Sequence, residues 1–366
     1  MKGVKFGGLH SCDEWGLILS EKELKSPDTK TYTVELEGGN GVLDFTEFFG
    51  AVKYENRKLT FKFIKPQIVP DGFLTLYSLV QDTLHGKKMQ VILDDDPAYF
   101  YYGRVSVNEW KSNKGIGEIV IEVDAEPYKY KKDLTRQLVN LSGRNLIDNY
   151  NIETLVQGGT TLERLEIGIR ARVAVAGTYK FSVIKVAPSA VLVGQKITAS
   201  FIAAASADNE PMVQMGYQDP VNGLQSMARS GITGTKDSIS MTVTEEMAAK
   251  YKYVVLYLYS NLTGTAVVGD YVNYTNLQVE IGEKSDYEAY DSGESVVKIN
   301  AANSRMPTVP IVIASKGGTI ATETYTKAIE TEQSYEIPEM ELKQGDNELT
   351  VSGTGLVLIS YQEGRL

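Results

Sequence analysis

Apolar and polar side chains alternate with a period of two along most of this chain, a pattern that predicts strands. Thr31-Tyr32-Thr33-Val34-Glu35-Leu36-Glu37 alternates and runs into Gly38-Gly39-Asn40-Gly41, a turn of residues that accept positive φ. Leu59 to Ile64 alternates in the same way and stops at Pro66. One stretch changes period. Leu74, Tyr77, Leu79, Val80 and Leu84 recur near helical spacing, with Asp71 as the expected cap and Gly86 as the stop. Met89 to Leu93 returns to strand, Asp94-Asp95-Asp96-Pro97 predicts a turn, and Tyr99 to Val107 pairs back.

From about Asn140 charges thin out, and Ala, Ser, Thr, Val, Gly and Tyr dominate to about Tyr290. Strand-like runs recur at Leu165 to Ala176, Tyr179 to Val186, Ile197 to Ala204, Ser238 to Val243, Tyr253 to Tyr259 and Tyr271 to Glu280. Short strands between Gly and Asn turns predict a β-sandwich. Strands continue from Ser295 to the end, with Pro307, Pro310 and Pro338 at expected edges. Ala125 to Lys132 reads as the start of a strand with no hairpin partner behind it, and Val296-Val297-Lys298-Ile299 is the expected partner. The middle of the chain then reads as a module inserted into a host domain, an arrangement tolerated where a module's termini lie close together.

At 366 residues the chain is long enough for two or three domains, and 42% hydrophobic with 23% charged residues is the balance of a folded protein. A net charge of −10 argues against specific nucleic-acid recognition or an anionic membrane as the main partner. The first eight residues lack the apolar run of a signal peptide, and no stretch suits membrane insertion. These features lead us to expect synthesis in a cytoplasm. A single cysteine, Cys12, excludes an internal disulfide framework. Tyrosine is abundant, at 22 against 10 Phe and 2 Trp, and suits half-wet surfaces such as interfaces, sugar platforms or strand edges.

The two ends resemble the distal tail (Dit) family of siphophages. The residues that carry the resemblance are Gly41-Val42-Leu43-Asp44-Phe45-Thr46, Tyr54 to Phe61, Leu84-His85-Gly86-Lys87, Asp96-Pro97 before Tyr101 to Val105, Leu342 to Val351, and Ser360 to Leu366. The resemblance implies a mainly β protein of three parts. Residues 1–126 would form an N-terminal β belt domain with one α-helix. Residues 127–138 plus 292–366 would form a galectin-like β-sandwich. The middle, opening at Arg144 to Asn149 and closing at Leu277 to Gly282 and Tyr287 to Tyr290, resembles an inserted jelly-roll, carbohydrate-binding-module-like sandwich over 139–291. The family implies a non-enzymatic hub of the virion tail tip, without cofactor, that forms a hexameric ring. Its partners would be the tail tube or tail terminator proteins, a tail-tip adhesin and, through the insertion, host cell-wall saccharide. The rival readings are a secreted or surface carbohydrate-binding adhesin and a glycoside or cell-wall hydrolase. The absent tryptophan departs from many sugar modules, since Trp15 and Trp110 both lie near the start.

Candidate sugar contacts come from the strand Tyr253 to Tyr259. Period two sends Val254, Leu256 and Leu258 to one face and Tyr253, Val255, Tyr257 and Tyr259 to the other, where the tyrosines would either stack on sugar or pack against protein. Tyr217 and Gln214 are the further platform candidates. His10-Ser11-Cys12-Asp13 places nucleophile types beside a base, but strand neighbours face opposite ways and triads come from separated segments. His85 is expected at the helix C-terminus, where a cation is favourable. Asp94-Asp95-Asp96 reads as a solvated turn or a Ca²⁺ ligand set, but lacks the spacing of a calcium loop. Glu153, Glu163, Glu166, Asp208, Glu210, Asp219 and Asp237 are available carboxylates with no catalytic motif around them. Arg57 and Asn56 beside Tyr54 suit either a subunit contact or a hairpin end.

Overall fold

The computed structural model describes the chain except residues 1–2, 49, 67–69, 114–115, 150, 207–208, 210, 231–235, 262–263 and 304. The protein is mainly β. Its first sheet is nine-stranded and has a main path from Leu9–His10 through Val4–Phe6, Lys88–Leu93, Tyr99–Asn113, Ile116–Ala125 and Arg57–Pro66 to Ile18–Leu24. The strand Arg57–Pro66 buries Leu59, Phe61 and Phe63 and leaves alternate residues wetter, as its sequence period predicts. The expected helix spans Pro70–Leu84 and buries Phe73, Val80 and Leu84. The Asp71 side chain, the expected cap, lies outside the described residues.

Strands from Ser295 onward, joined by Thr135–Asn140, form two four-stranded sheets. One orders Thr135–Asn140, Leu356–Tyr361, Ile311–Ala314 and Ser334–Glu336; the other orders Ser295–Asn300, Glu348–Gly353, Gly318–Ala321 and Thr326–Ile329. Val139, Val312, Ile320, Val351 and Ile359 fill the core between them. Two five-stranded sheets lie between these chain segments. We call the first the tyrosine sheet: Thr154–Gly158, Lys180–Pro188, Tyr253–Asn261, Met212–Asp219 and Gly223–Arg229. The second is the arginine sheet: Thr160–Leu165, Gly168–Val173, Tyr271–Ile281, Lys196–Ala205 and Lys236–Thr242. Tyr274, fully buried, crosses the core from the arginine sheet and donates its hydroxyl to the carbonyls of Met212 and Tyr259, at 3.0 and 2.5 Å, on the tyrosine sheet.

The chain's return from this sandwich corrects the expected strand partnership. Lys129–Lys131 pairs with Tyr99–Asn113 and with Gly364–Arg365 in the first sheet, whereas Ser295–Asn300 pairs with Glu348–Gly353 in another. Pairing between the two halves instead runs through Thr135–Asn140 and Leu356–Tyr361, in register from Thr135↔Tyr361 to Asn140↔Leu356. The short turn Ala125 to Tyr128 carries the chain back across the start of the hairpin strand Tyr99–Asn113, so a partner close in sequence was available after all. The run Leu165 to Ala176 also differs from expectation: Thr160–Leu165 and Gly168–Val173 form a hairpin that turns at Glu166 and Ile167.

Candidate functional site

Alternation along Tyr253–Asn261 is realised. Val254, Leu256 and Leu258 enter the main core of the sandwich, and Val255, Tyr257 and Tyr259 face the other way. That second face is not wet. Tyr257 is 4% and Tyr259 8% exposed, with the Phe181 ring 6.3 and 5.3 Å from theirs and Val183 and Met212 alongside. Gln214 shares this face, and its Oε1 accepts from the Tyr259 hydroxyl at 3.4 Å. Tyr217 does not join them. It is 0% exposed in the sandwich core and stacks on Tyr251 at 5.7 Å. Gln214 and Tyr217 are three positions apart on one strand, and an odd separation sends side chains to opposite faces. Burial pushes the phenols of Tyr217, Tyr257 and Tyr259 up. An exposed tyrosine platform is therefore not present at these four residues.

The outward face of the arginine sheet has the opposite character. Arg172 makes a two-point contact with Glu163, 2.5 and 3.1 Å, and donates to the Gly269 carbonyl at 3.0 Å. Arg170 donates to the Asn273 side chain at 2.8 Å, and its guanidinium lies 4.3 Å from the centre of the half-buried Tyr271 ring. The bond to Arg172 holds the Glu163 carboxyl below its ordinary range. The alternation Arg170-Ala171-Arg172, with Ala171 in the core, was the sequence signal for this face.

The two sandwiches are docked to each other. Leu356 and Leu358 of the C-terminal sandwich belong to the same buried cluster as Leu146, Ile147, Val191 and Leu192, with Leu138 and Ile313 packed on it. Beside this seam Glu332, with φ +61°, accepts from Lys185, from Lys252 at 3.0 Å and from the Tyr253 hydroxyl at 3.0 Å. Lys185 also reaches Glu153 at 2.9 Å. Burial alone would raise the Glu332 carboxyl, but the bonds from Lys185 and Lys252 outweigh it and leave the group below its ordinary range. A left-handed glutamate is strained, so the contacts around it over-determine the conformation. Arg136–Glu245 at 2.8 Å, and Lys316 with Asp148 at 3.4 Å and the Tyr290 hydroxyl at 2.5 Å, add further ties.

In the first sheet the acidic run is engaged residue by residue. Asp94 accepts from the Gly3 N–H at 2.7 Å and contacts His10 Nε2 at 3.0 Å, Asp95 pairs with Lys22, and Asp96 pairs with Lys129 at 2.5 Å. His10 also contacts Asp13 at 3.2 Å, and Ser11 lies in a one-turn helix, Ser11–Trp15, rather than in a strand. The Ser11 hydroxyl is buried and accepts from the Val4 N–H at 3.2 Å, while the Cys12 thiol donates to the Leu17 carbonyl. His85 differs from expectation. Its Nδ1 accepts from the Val107 N–H at 3.0 Å, and Lys87 is the cation at the helix C-terminus, donating to the Asp82 and Thr83 carbonyls. Arg57 is interior, 7% exposed, bonded to the Lys25 carbonyl. Tyr54 is half-buried against Tyr128 and bonded by Arg305 at 2.9 Å, and Asn56 is exposed. Of the scattered carboxylates, Asp219 accepts the Val221 and Asn222 N–H groups in a turn, and Asp208 and Glu210 lie outside the described residues. No group of three or more metal-ligating side chains occurs among the described residues.

The hairpin Thr33–Glu35 with Val42–Asp44 stands apart as a two-stranded sheet. It exposes Val34, Leu36, Val42 and Leu43, with Tyr32 and Phe48 nearby at 57 and 71%. Ile18–Leu24 ends the main path of the first sheet.

No family model and no curated protein matches this chain. Solved structures similar to it include the phage SPP1 Dit (gp 19.1) protein, described as a hub adsorption apparatus of phages infecting Gram-positive hosts. It is 12% identical, aligned over 100% of both chains, with a TM-score of 0.38. A chain of the phage p2 baseplate is 11% identical over 79% of this chain and all of its own, with a TM-score of 0.26. A triple jelly-roll protein of an archaeal virus turret gives 10% identity and a TM-score of 0.16. At these scores the strand pairings above, not the similarities, define the fold.

Proposed function

We propose that the chain is a structural protein of a phage tail tip: a ring-forming, non-catalytic hub that links the tail tube to tail-tip proteins and carries an inserted module for host wall saccharide. The observation that carries the reading is a strand pairing between segments far apart in the chain. Strand Leu356–Tyr361 closes on Thr135–Asn140 across 215 intervening residues, and both five-stranded sheets draw all their strands from that interval. This arrangement fits the order of the segments that resemble the distal tail family. The N-terminal part would be the belt and the C-terminal sandwich its galectin-like companion. An exposed apolar hairpin and an open sheet edge are surfaces that a ring of like subunits covers. Electron microscopy of the purified chain tests the hub: closed rings are expected, and monomers alone at high concentration would reject it. Pull-down on wall fractions tests the module, and lysis of walls by the pure chain would reject the non-enzyme reading. The adhesin alternative predicts protein absent from purified phage particles.

A further inference from the structure

We propose that the inserted sandwich holds a neutral sugar unit in a small cleft where Lys196–Ala205 and Tyr271–Ile281 of the arginine sheet pair irregularly, built around Asn276, Lys284, Asp286 and Tyr287. The proposal rests on the saccharide reading of the insertion and supplies its site; the hub reading does not depend on it.

The cleft starts as an irregularity in strand pairing. Along Lys196–Ala205 and Tyr271–Ile281, Ser200 pairs with Gln278 and Ile202 with Thr275, so Asn276 and Leu277 together stand opposite Phe201. Such a bulge re-aims a side chain and is common beside functional sites. Asn276 takes φ +50° there, and its N–H donates to the Ile167 carbonyl at 2.9 Å. Leu277 goes into the core, and Asn276 lines a cleft of about 180 Å³ with Ser200 and Ile202 as its floor.

The opposite wall is the chain leaving the sandwich, and it is held rigidly. Glu280, 3% exposed, accepts from the Ser285 N–H at 2.8 Å and from its hydroxyl at 2.5 Å. Gln278, fully buried, accepts from the Glu288 N–H at 2.6 Å, and Arg144 clamps Glu288 at 2.6 Å. Two buried polar side chains are thereby spent on fixing the segment that presents Lys284, Asp286 and Tyr287 to the cleft. A backbone held in this way lowers the ordering cost of binding, leaving only the lining side chains to be ordered by a ligand.

The lining selects the ligand class. One amide, one ammonium and one carboxylate offer donors and acceptors in both directions, and the two charges cancel. Among the described residues the side chains of Asn276, Lys284 and Asp286 make no direct hydrogen bond or close ion pair, and the Asp286 carboxylate acts on the Arg144 guanidinium only at longer range. Ile202 and the Tyr287 ring supply the apolar surface that a sugar's C–H face needs. The volume falls below the roughly 300–1,000 Å³ of pockets that enclose drug-sized ligands, and suits one ring of a longer chain.

The test uses the full chain on an array of neutral, sulfated and phosphorylated oligosaccharides. Neutral sugars are expected to bind, with affinity that 0.5 M salt leaves largely unchanged. Asn276→Gly removes the amide while keeping the left-handed backbone, and Asp286→Ala removes the carboxylate. Each is expected to weaken binding about tenfold, with an unchanged thermal transition. Binding by the parent chain that both variants retain would overturn the cleft and leave saccharide binding standing. Binding only to sulfated or phosphorylated sugars would overturn the neutral-ligand assignment. No binding to any sugar by the parent chain would overturn the saccharide reading and the cleft together.

Discussion

The sandwich of the tyrosine and arginine sheets turns two sheet faces away from its own core, and tyrosine meets opposite fates on them. On the tyrosine sheet Tyr257 and Tyr259 pack with Phe181, Val183 and Met212 into a second, smaller core. On the arginine sheet Tyr271 is half-buried beneath two guanidinium groups. Strand periodicity assigns side chains to faces but does not say which face is wet. That depends on the neighbours across the ladder: Phe181 lies opposite Tyr259, and Val183 opposite Tyr257, whereas Arg172 lies opposite Tyr271.

The contrast is sharpest in paired truncations. Tyr257→Ala empties a packed site and should cost about 3–5 kcal/mol, as other buried aromatics do. Tyr271→Ala on the wetter face should stay within about 1 kcal/mol. Urea unfolding of the two variants measures both, and equal losses would mean that the two faces do not differ as described.

Next in size is the tie between the sandwiches. Glu332→Gln keeps the shape but removes the charge that Lys185 and Lys252 meet, and should cost about 1.5–3 kcal/mol of resistance to denaturant. Its pH dependence follows in sign. The Glu332 carboxyl is held below the ordinary value of 4.5, so its contribution is complete above that value and is lost as pH falls through the depressed one. The parent chain should therefore lose stability in that acid range more steeply than Glu332→Gln. Parallel acid titrations of unfolding would reject this if the two curves kept a constant separation.

Hydroxyl deletions give a finer comparison. The Tyr274 hydroxyl bonds two carbonyls across the core, so Tyr274→Phe should cost about 1–3 kcal/mol. The Tyr257 hydroxyl is buried without a hydrogen-bond partner among the described residues, so Tyr257→Phe should be neutral or slightly stabilising. Smallest of all, Glu163→Gln weakens an ion pair at the sheet surface and should shift stability by about 0.2–1 kcal/mol, less in high salt.

The sequence was most legible where one period governs one strand. Arg57–Pro66 and the two faces of Tyr253–Asn261 follow their patterns directly, whereas the helix Pro70–Leu84 forms where expected but buries Phe73, Val80 and Leu84 and leaves Leu74 and Leu79 exposed. It was less legible where pairing depends on distant segments. Lys129–Lys131 finds its partners in Tyr99–Asn113 and Gly364–Arg365, a choice made by where the chain turns rather than by its own alternation. The candidate residues erred for a related reason. Tyr217 looked like a neighbour of Gln214, yet an odd step along the strand put it in the core. Bulge geometry at Asn276 has no sequence signature beyond an asparagine that tolerates positive φ, and the buried Gln278 and Glu280 read simply as strand residues.

The central proposal is that a ring-forming host has been interrupted by a module that the ring does not need. Replacing residues 141–291 with a short Gly-Ser linker, then measuring the assembly by native mass spectrometry, tests it most directly. The account predicts that the shortened chain and the parent form the same closed ring. A shortened chain that is folded but monomeric, beside a parent that assembles, would contradict it, as would a parent that never assembles.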